Sequence, residues 1–326
     1  MEKRFLGKQN VEVSALGLGC MVLSSSYGAA EEKDSIYTIH KAIEMGITLF
    51  DTADVYGLGH NEQLLAKALK GKRDRVLIIS KFGLIWNDRG EVTGIDASPQ
   101  HVKEACEASL MRLQTDHLDF YLRHRLDANT PIEETVSAMA ELEKEGKIRF
   151  LGICEVSAET LRRAQRVHEI TVLQSEYSLW SRHIEAEILP TARELGIGFV
   201  AYSPLGRGFL TGGIRRDQDL AEKDHRRTFP RFSKENLSRN LELLCLLEEI
   251  AKTRGCTSAQ VALAWVLSRG KDIVPIPGTR STKHLIENIN SLEMELTGEE
   301  LLKLENLADR VSGERFNEQA MRLIEH

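Results

Sequence analysis

Much of what this 326-residue chain does can be narrowed by what it lacks. No apolar run approaches the ~20 residues of a membrane-spanning helix. The opening MEKRFLGKQN turns polar too soon for a secretory signal, so the expected location is the cytoplasm. The five cysteines, Cys20, Cys106, Cys154, Cys245 and Cys256, are odd in number and scattered, with no C-x-x-C pair. That argues against a disulfide framework or a structural zinc site and suits a reducing compartment. The histidines show no H-x-x-x-H or H-E-x-x-H spacing, and no metal site is expected. Nor is there a basic excess: the net charge of -6 leaves no footprint for nucleic acid. What remains is a composition of 42% hydrophobic and 28% charged residues, which is that of a globular protein.

Short apolar runs alternate with longer amphipathic stretches. The strand-like runs are Ala15–Gly19, Thr48–Asp51, Val76–Ser80, Leu118–Leu122, Ile148–Ile153, Val172–Ser175, Gly198–Tyr202 and Ile273–Ile276. Helix-like segments lie between them at Lys33–Met45, Glu62–Leu69, Pro99–Leu113, Ile132–Glu145, Ala158–His168, His183–Leu195 and Ser258–Leu267. Such βα alternation predicts a parallel sheet with right-handed crossovers. Eight repeats predict a closed (β/α)8 TIM barrel, which takes about 250 residues and so fits residues 1–326 as a single domain. Ser98-Pro99 and Ser157 read as helix starts and Gly146 as a helix stop. Met1–Leu6 and Val11–Ser14, joined by Gly7-Lys8-Gln9-Asn10, read as an N-terminal hairpin. A long loop is expected from Gly206 to about Asn236, and extra C-terminal helices at Lys283–Ser291, Thr297–Asp309 and near Glu314–His326.

In such a barrel the chemistry sits at the C-terminal ends of the strands. The second strand ends in DTADVYG (residues 51–57), the third in SKFG (80–83), and the fourth in Leu122-Arg123-His124. Three consecutive strands thus bring Asp51, Tyr56, Lys81 and His124 to one rim. Together with LGLGCM (16–21), LQSEYSLWSR (173–182), GFVAYSPLGRGFLTG (198–212) and IPGTRSTKHLIEN (276–288), in that order, these motifs resemble the aldo-keto reductase superfamily, in particular the bacterial and plant branch with the GFLTG loop.

The resemblance implies an NADPH-dependent reductase of aldehydes or ketones, and elementary chemistry accounts for the four residues. Hydride transfer to a carbonyl leaves an alkoxide that must gain a proton, so Tyr56 is assigned as the acid. A phenol with a pKa of ~10 is a reluctant donor, and a nearby ammonium, Lys81, is expected to lower it. Asp51 offsets the expense of burying Lys81, and a neutral His124 orients the carbonyl. By resemblance, Tyr202 stacks on the nicotinamide and Gln174 binds its carboxamide. Ser203, Leu205, Gly206 and Arg207 line the pyrophosphate. Arg280, in the stretch Gly278-Thr279-Arg280, meets a 2′-phosphate with Lys283 or His284 close behind, and Glu287 and Asn288 hold the adenine. Met21, Cys154 and Glu155 complete the implied cofactor contacts. NADH is the less favoured cofactor, because a guanidinium fork at Arg280 suits a phosphate.

Two positions depart from the family pattern. Cys154-Glu155 stands where a Ser-Asn or Ser-Glu pair is common, replacing a hydroxyl with a weaker thiol donor and placing a thiol near the site. Val22 stands where relatives often carry Gly, which adds bulk at the rim. Trp180 and Trp265 read as core. Trp86, Tyr27, Phe209, Phe229, Phe232, Phe316 and Met321 are candidates for the substrate pocket. Three alternatives stand beside the reductase. One is a redox-sensing regulatory subunit resembling potassium-channel β subunits, which the lack of a long N-terminal extension disfavours. The others are a Schiff-base aldolase at Lys81 and a metal-dependent isomerase. The sequence names neither the carbonyl substrate, the direction of reaction nor the oligomeric state.

Overall fold

The computed structural model describes residues 1–24, 31–87, 91–222 and 224–325. It opens with the antiparallel hairpin β1 (Lys3–Leu6) and β2 (Val11–Ser14), in which Leu6 faces Val11. Next come β3 (Leu18–Gly19), α1 (Glu32–Glu44), β4 (Leu49–Asp51), α2 (His60–Ala68) and β5 (Leu77–Phe82). A small hairpin, β6 (Leu84–Trp86) and β7 (Val92–Ile95), precedes α3 (Pro99–Leu113), β8 (Leu118–Arg123), α4 (Ile132–Lys144) and β9 (Ile148–Cys154). The alternation continues through α5 (Ala158–Val167), β10 (Val172–Glu176), α6 (Ile188–Glu194) and β11 (Gly198–Tyr202). Then come α7 (Lys234–Arg254), α8 (Ser258–Ser268), β12 (Ile273–Pro275), α9 (Thr282–Asn290), α10 (Gly298–Ala308) and α11 (Glu318–Met321).

The eight strands β3, β4, β5, β8, β9, β10, β11 and β12 lie side by side in chain order, each parallel to the next. Backbone bonds from Gly17 N–H to the Pro275 carbonyl (3.0 Å) and from Gly19 N–H to the Pro277 carbonyl (3.3 Å) join the last strand to the first. The sheet is the (β/α)8 barrel that the alternation predicts. Glycine is required at this seam: a Cβ on Gly19 would lie 2.7 Å from the Ile276 carbonyl oxygen.

Parallel strands buried on both faces carry two apolar sets. Leu49, Ile79, Phe120, Leu122, Val172, Val200 and Val274 fill the interior, and the hairpin adds Leu6, Val11 and Val13 to the same cluster, stopping the N-terminal end of the barrel. Phe50, Ile78, Tyr121, Leu151, Leu173 and Phe199 belong to the larger outer cluster, with the helices. Arg4 ties the hairpin down by donating to the Gly270 and Leu267 carbonyls at 2.8 and 2.9 Å.

The helix signals operate as expected. Ser98 Oγ accepts from His101 N–H (3.3 Å) and Ser157 Oγ from Thr160 N–H (3.2 Å), while Gly146 closes α4 with φ +75°. Three segments differ from expectation. Residues 183–195 form a short 3-10 turn, His183–Glu185, and then α6, because Pro190 has no N–H to continue an incoming helix and is tolerated only in a first turn. The loop after β5 is a hairpin over much of its length. The stretch after Gly206 runs through 3-10 turns into the 21-residue α7, capped by Ser233 Oγ accepting from Asn236 N–H. Tyr27 lies outside the described residues.

Candidate active site

The parallel ladder runs one step past each strand and so fixes the first residues of each rim loop. Cys20 N–H bonds to Asp51 O, Thr52 N–H to Ile79 O, Asp54 N–H to Lys81 O, and His124 N–H to Phe82 O, all between 2.8 and 3.1 Å. The turn that carries Tyr56 is braced by Asn61, which is fully buried. Its Oδ1 accepts from Thr52 Oγ1 (2.7 Å), and its Nδ2 donates to Cys20 O (2.8 Å) and Ser24 Oγ (2.7 Å). Behind β5, Glu62 accepts from Ser80 Oγ and Arg112 Nε, both at 2.6 Å.

These supports bring Asp51, Tyr56, Lys81 and His124 together. The Lys81 ammonium, fully buried, donates to Asp51 Oδ1 (2.8 Å), to Thr52 O (2.7 Å) and to Tyr56 Oη (3.4 Å). All three of its protons are thereby assigned. The Tyr56 and His124 rings meet edge to face with centroids 6.0 Å apart. Gln174 Nε2 donates to Asp51 Oδ2 at 2.7 Å, so Gln174 also serves to fix the aspartate.

Burial alone would pull the Lys81 ammonium down, but Asp51 and Tyr56 raise it above the ordinary lysine value. Burial pushes the Tyr56 phenol up to about 12, with Lys81 pulling the other way. The expected lowering by Lys81 is therefore present but smaller than the effect of burial. Burial, then Arg125 and Lys81, hold His124 well below the usual histidine range, so its imidazole is neutral. Its Nδ1 is buried without a hydrogen-bond partner among the described residues. The arrangement pairs a protonated phenol with a fixed cation and a neutral imidazole.

The sequence-derived cofactor residues fall on the β9–β12 side of the same rim, except Met21, which opens the turn after β3. Cys154 points into the barrel; burial pushes its thiol up to about 12, which makes it an inert packing group. Ser203 (φ +49°), Gly206 (φ +57°) and Arg207 (φ +54°) turn the backbone after β11. Gly206 packs so closely over Trp180 that a Cβ would lie 2.8 Å from the indole nitrogen. The Tyr202 hydroxyl is buried without a partner among the described residues. Thr279 Oγ1 accepts from Ser281 N–H (3.0 Å) just before α9, and Ser281 caps that helix. Arg280, Lys283 and His284 cluster at its start, with His284 Nδ1 2.9 Å from Glu287 Oε2, while Asn288 is buried one turn on. Val22 packs its methyls 3.3 Å from where a Gly278 Cβ would be. A partnerless phenol for a flat ring, left-handed backbone and a cationic helix start fit a nicotinamide dinucleotide.

A pairing that the sequence did not disclose, between Glu155 and Arg315, lies among these residues. Glu155 is buried, and its carboxylate accepts from Arg315 Nη1 (2.9 Å) and from Glu176 N–H (2.9 Å). Burial would raise this carboxyl, but Arg315 holds it well below the usual range. Glu325 N–H donates to Glu155 O (3.0 Å), and Glu325 Oε2 accepts from Ser157 N–H (2.8 Å). The C-terminal tail is therefore strapped across the rim. Arg207 pairs with Glu176 at 2.8 Å, and its guanidinium lies 4.8 Å from the Phe316 ring centre. Of the pocket candidates, Phe209 stacks on Trp180 (4.3 Å) and Phe232 meets its edge, so both belong to the core, as do Trp180 and Trp265. Phe229 and Phe316 pack on each other at the rim. Among the described residues no set of three His, Cys, Asp or Glu side chains could hold a metal ion, and no helix is long and apolar enough to cross a membrane.

The comparisons support an oxidoreductase on this barrel. The model of the aldo/keto reductase family matches residues 15–309, and the chain belongs to that family. A glycerol dehydrogenase from Gluconobacter oxydans is 30% identical, with a TM-score of 0.86 over 95% of this chain and 95% of that one. A thermostable aldo-keto reductase solved with the inhibitor epalrestat is 31% identical, with a TM-score of 0.75 over 94% of this chain and 100% of that one.

Proposed function

We propose that this chain is an NADPH-dependent reductase that converts an aldehyde or ketone to an alcohol, with Tyr56 as the proton donor. The observation that carries the reading is Lys81, buried and bonded at once to the Asp51 carboxylate and the Tyr56 hydroxyl. A bound nicotinamide supplies the hydride. As the carbonyl π pair moves onto oxygen, Tyr56 Oη gives that oxygen its proton, and the Lys81 ammonium steadies the phenolate left behind. His124, neutral, hydrogen-bonds the carbonyl oxygen and aims it at Tyr56. Lys81 is a poor Schiff-base nucleophile, since its nitrogen is held as a fully bonded ammonium. Tyr202 offers its ring to the nicotinamide, and Ser203, Leu205, Gly206 and Arg207 take the pyrophosphate. Gly278, Thr279 and Arg280, with Lys283 and His284, take the 2′-phosphate, which is the reason to favour NADPH over NADH.

The test is cofactor oxidation with NADPH and NADH over a panel of aldehydes and ketones, in the wild type and in Tyr56→Phe. The expected result is NADPH-driven turnover that falls by about 10²–10⁴-fold in the variant while NADPH binding persists. Retained turnover in Tyr56→Phe would remove the proton-donor assignment. Tight cofactor binding with no turnover on any carbonyl would favour the redox-reporting subunit.

A further inference from the structure

Four arginines surround the tail where it crosses the rim, and three of them have a carboxylate. Arg315 is bound by Glu155, Arg207 by Glu176 at 2.8 Å, and Arg231 stands 3.9 Å from Glu176 and donates to Ser181 Oγ (2.6 Å). Arg125 differs. It directly follows His124, is half-buried, and has no carboxylate within ion-pairing distance among the described residues. Its bonds are one from Nη1 to the His124 carbonyl (3.1 Å) and a guanidinium contact 5.7 Å from the Phe316 ring centre. Among the described residues Arg125 alone of these four thus lacks a carboxylate at ion-pairing distance, in a place where water screens poorly.

The cofactor phosphates do not account for Arg125. Their proposed seats come after β11 and β12, whereas Arg125 comes after β8, on the side of the residue that receives the carbonyl oxygen. From these placements we infer that the substrate is an anionic carbonyl compound, bearing a carboxylate or a phosphate monoester beyond the carbonyl, which Arg125 grips against Phe316. A guanidinium presents a planar fork that matches either anion with two parallel hydrogen bonds. Of the Arg125 donors, Nη1 is held by the His124 carbonyl, and the others meet no acceptor among the described residues. The inference rests on the reductase reading above for the carbonyl, and on Arg125 alone for the charge.

The test compares matched pairs with NADPH: 4-oxobutanoate against butanal, and glyceraldehyde 3-phosphate against glyceraldehyde. At least one anionic member should be preferred in kcat/KM by about 10–100-fold, as a charge-assisted pair implies. The preferring arm identifies carboxylate or phosphate. In Arg125→Gln that preference should collapse toward unity, chiefly through KM, and Arg125→Lys should restore part of it. Equal kcat/KM within both pairs in the wild type, or an undiminished preference in Arg125→Gln, would overturn the inference. If no carbonyl at all is reduced, the reductase reading fails, and calorimetry still decides the anion site. Cofactor-loaded protein should bind 4-hydroxybutanoate or glycerol 3-phosphate and lose that binding in Arg125→Gln; no uptake of either anion would overturn it.

Discussion

At the N-terminal end of the barrel the first residues of the chain set Leu6, Val11 and Val13 against Leu49, Ile79 and Val172. At the C-terminal end the last residues set Arg315 and Phe316 against Glu155 and Arg207. One closure is largely carbon, its buried cation Arg4 donating from both terminal nitrogens to backbone carbonyls. The other is an array of charges, with Arg315 and Arg207 paired and Arg125 without a carboxylate at ion-pairing distance among the described residues. Apolar contact stabilises in proportion to area and asks little of geometry. Buried charges bring a desolvation cost that only well-aimed partners offset. A barrel that needed both ends only for stability would have little use for the second arrangement. Its presence at one end marks where polar ligands are received.

Four measurements sharpen or break this contrast. The largest effect is expected for Lys81→Met, which removes the cation under Tyr56 and leaves Asp51 with only Gln174; carbonyl reduction should fall by about 10³-fold. A loss under tenfold would place the chemistry elsewhere on the rim. Next, Arg315→Met strands the buried Glu155 carboxylate and should lower unfolding free energy by about 3–5 kcal/mol in urea titrations at neutral pH. Because Arg315 depresses the folded-state value of Glu155, the stability it contributes is present above the unfolded carboxylate range and lost as pH falls toward the folded value. The gap between wild type and variant should therefore narrow in acid, and a gap independent of pH would contradict the pairing. At the opposite end, Leu6→Ala should remove about 2–5 kcal/mol with the same loss at every pH and with kcat unaltered; a shifted kcat would mean that the two ends are coupled. The smallest change is expected in the pH profile. With Tyr56 pushed up to about 12 and His124 held neutral, kcat/KM for reduction should vary less than about threefold between about pH 6.5 and 9. On the role proposed for Tyr56, reduction should fade only as pH nears that value, while alcohol oxidation should climb toward it.

The strands were legible because each is a short apolar run buried on both faces, and the four residues at the rim because they sit at or just past strand ends. Contacts across long sequence separations were not. Glu155 and Arg315 stand 160 residues apart, and nothing local tells a buried arginine from the many exposed ones. Asn61 and Glu62 read as an ordinary helix start, though their side chains face inward to brace Tyr56 and Lys81. The length of α7 went unread because its first turns are crowded with charge, and its apolar stripe gains meaning only against α8 and the turns after Gly206. Phe209 and Phe232 looked like pocket walls from their place in a long loop. The ring of Trp180, an element away, draws both into the core.

The seam has a consequence for the barrel before it closes. The N–H groups of β12 at Val274 and Ile276 are directed toward β11, as the bond from Ile276 to Ala201 shows. Of those that would project from the other edge, Ile273 N–H bonds to the Gly270 carbonyl, and positions 275 and 277 are both proline. Until β3 arrives, that margin offers carbonyls and no donors. A stray strand from another molecule finds half a ladder there, whereas Gly17 and Gly19 of the same chain bring the donors that complete it. The joint that shuts the barrel thus offers a foreign strand little to pair with before it closes.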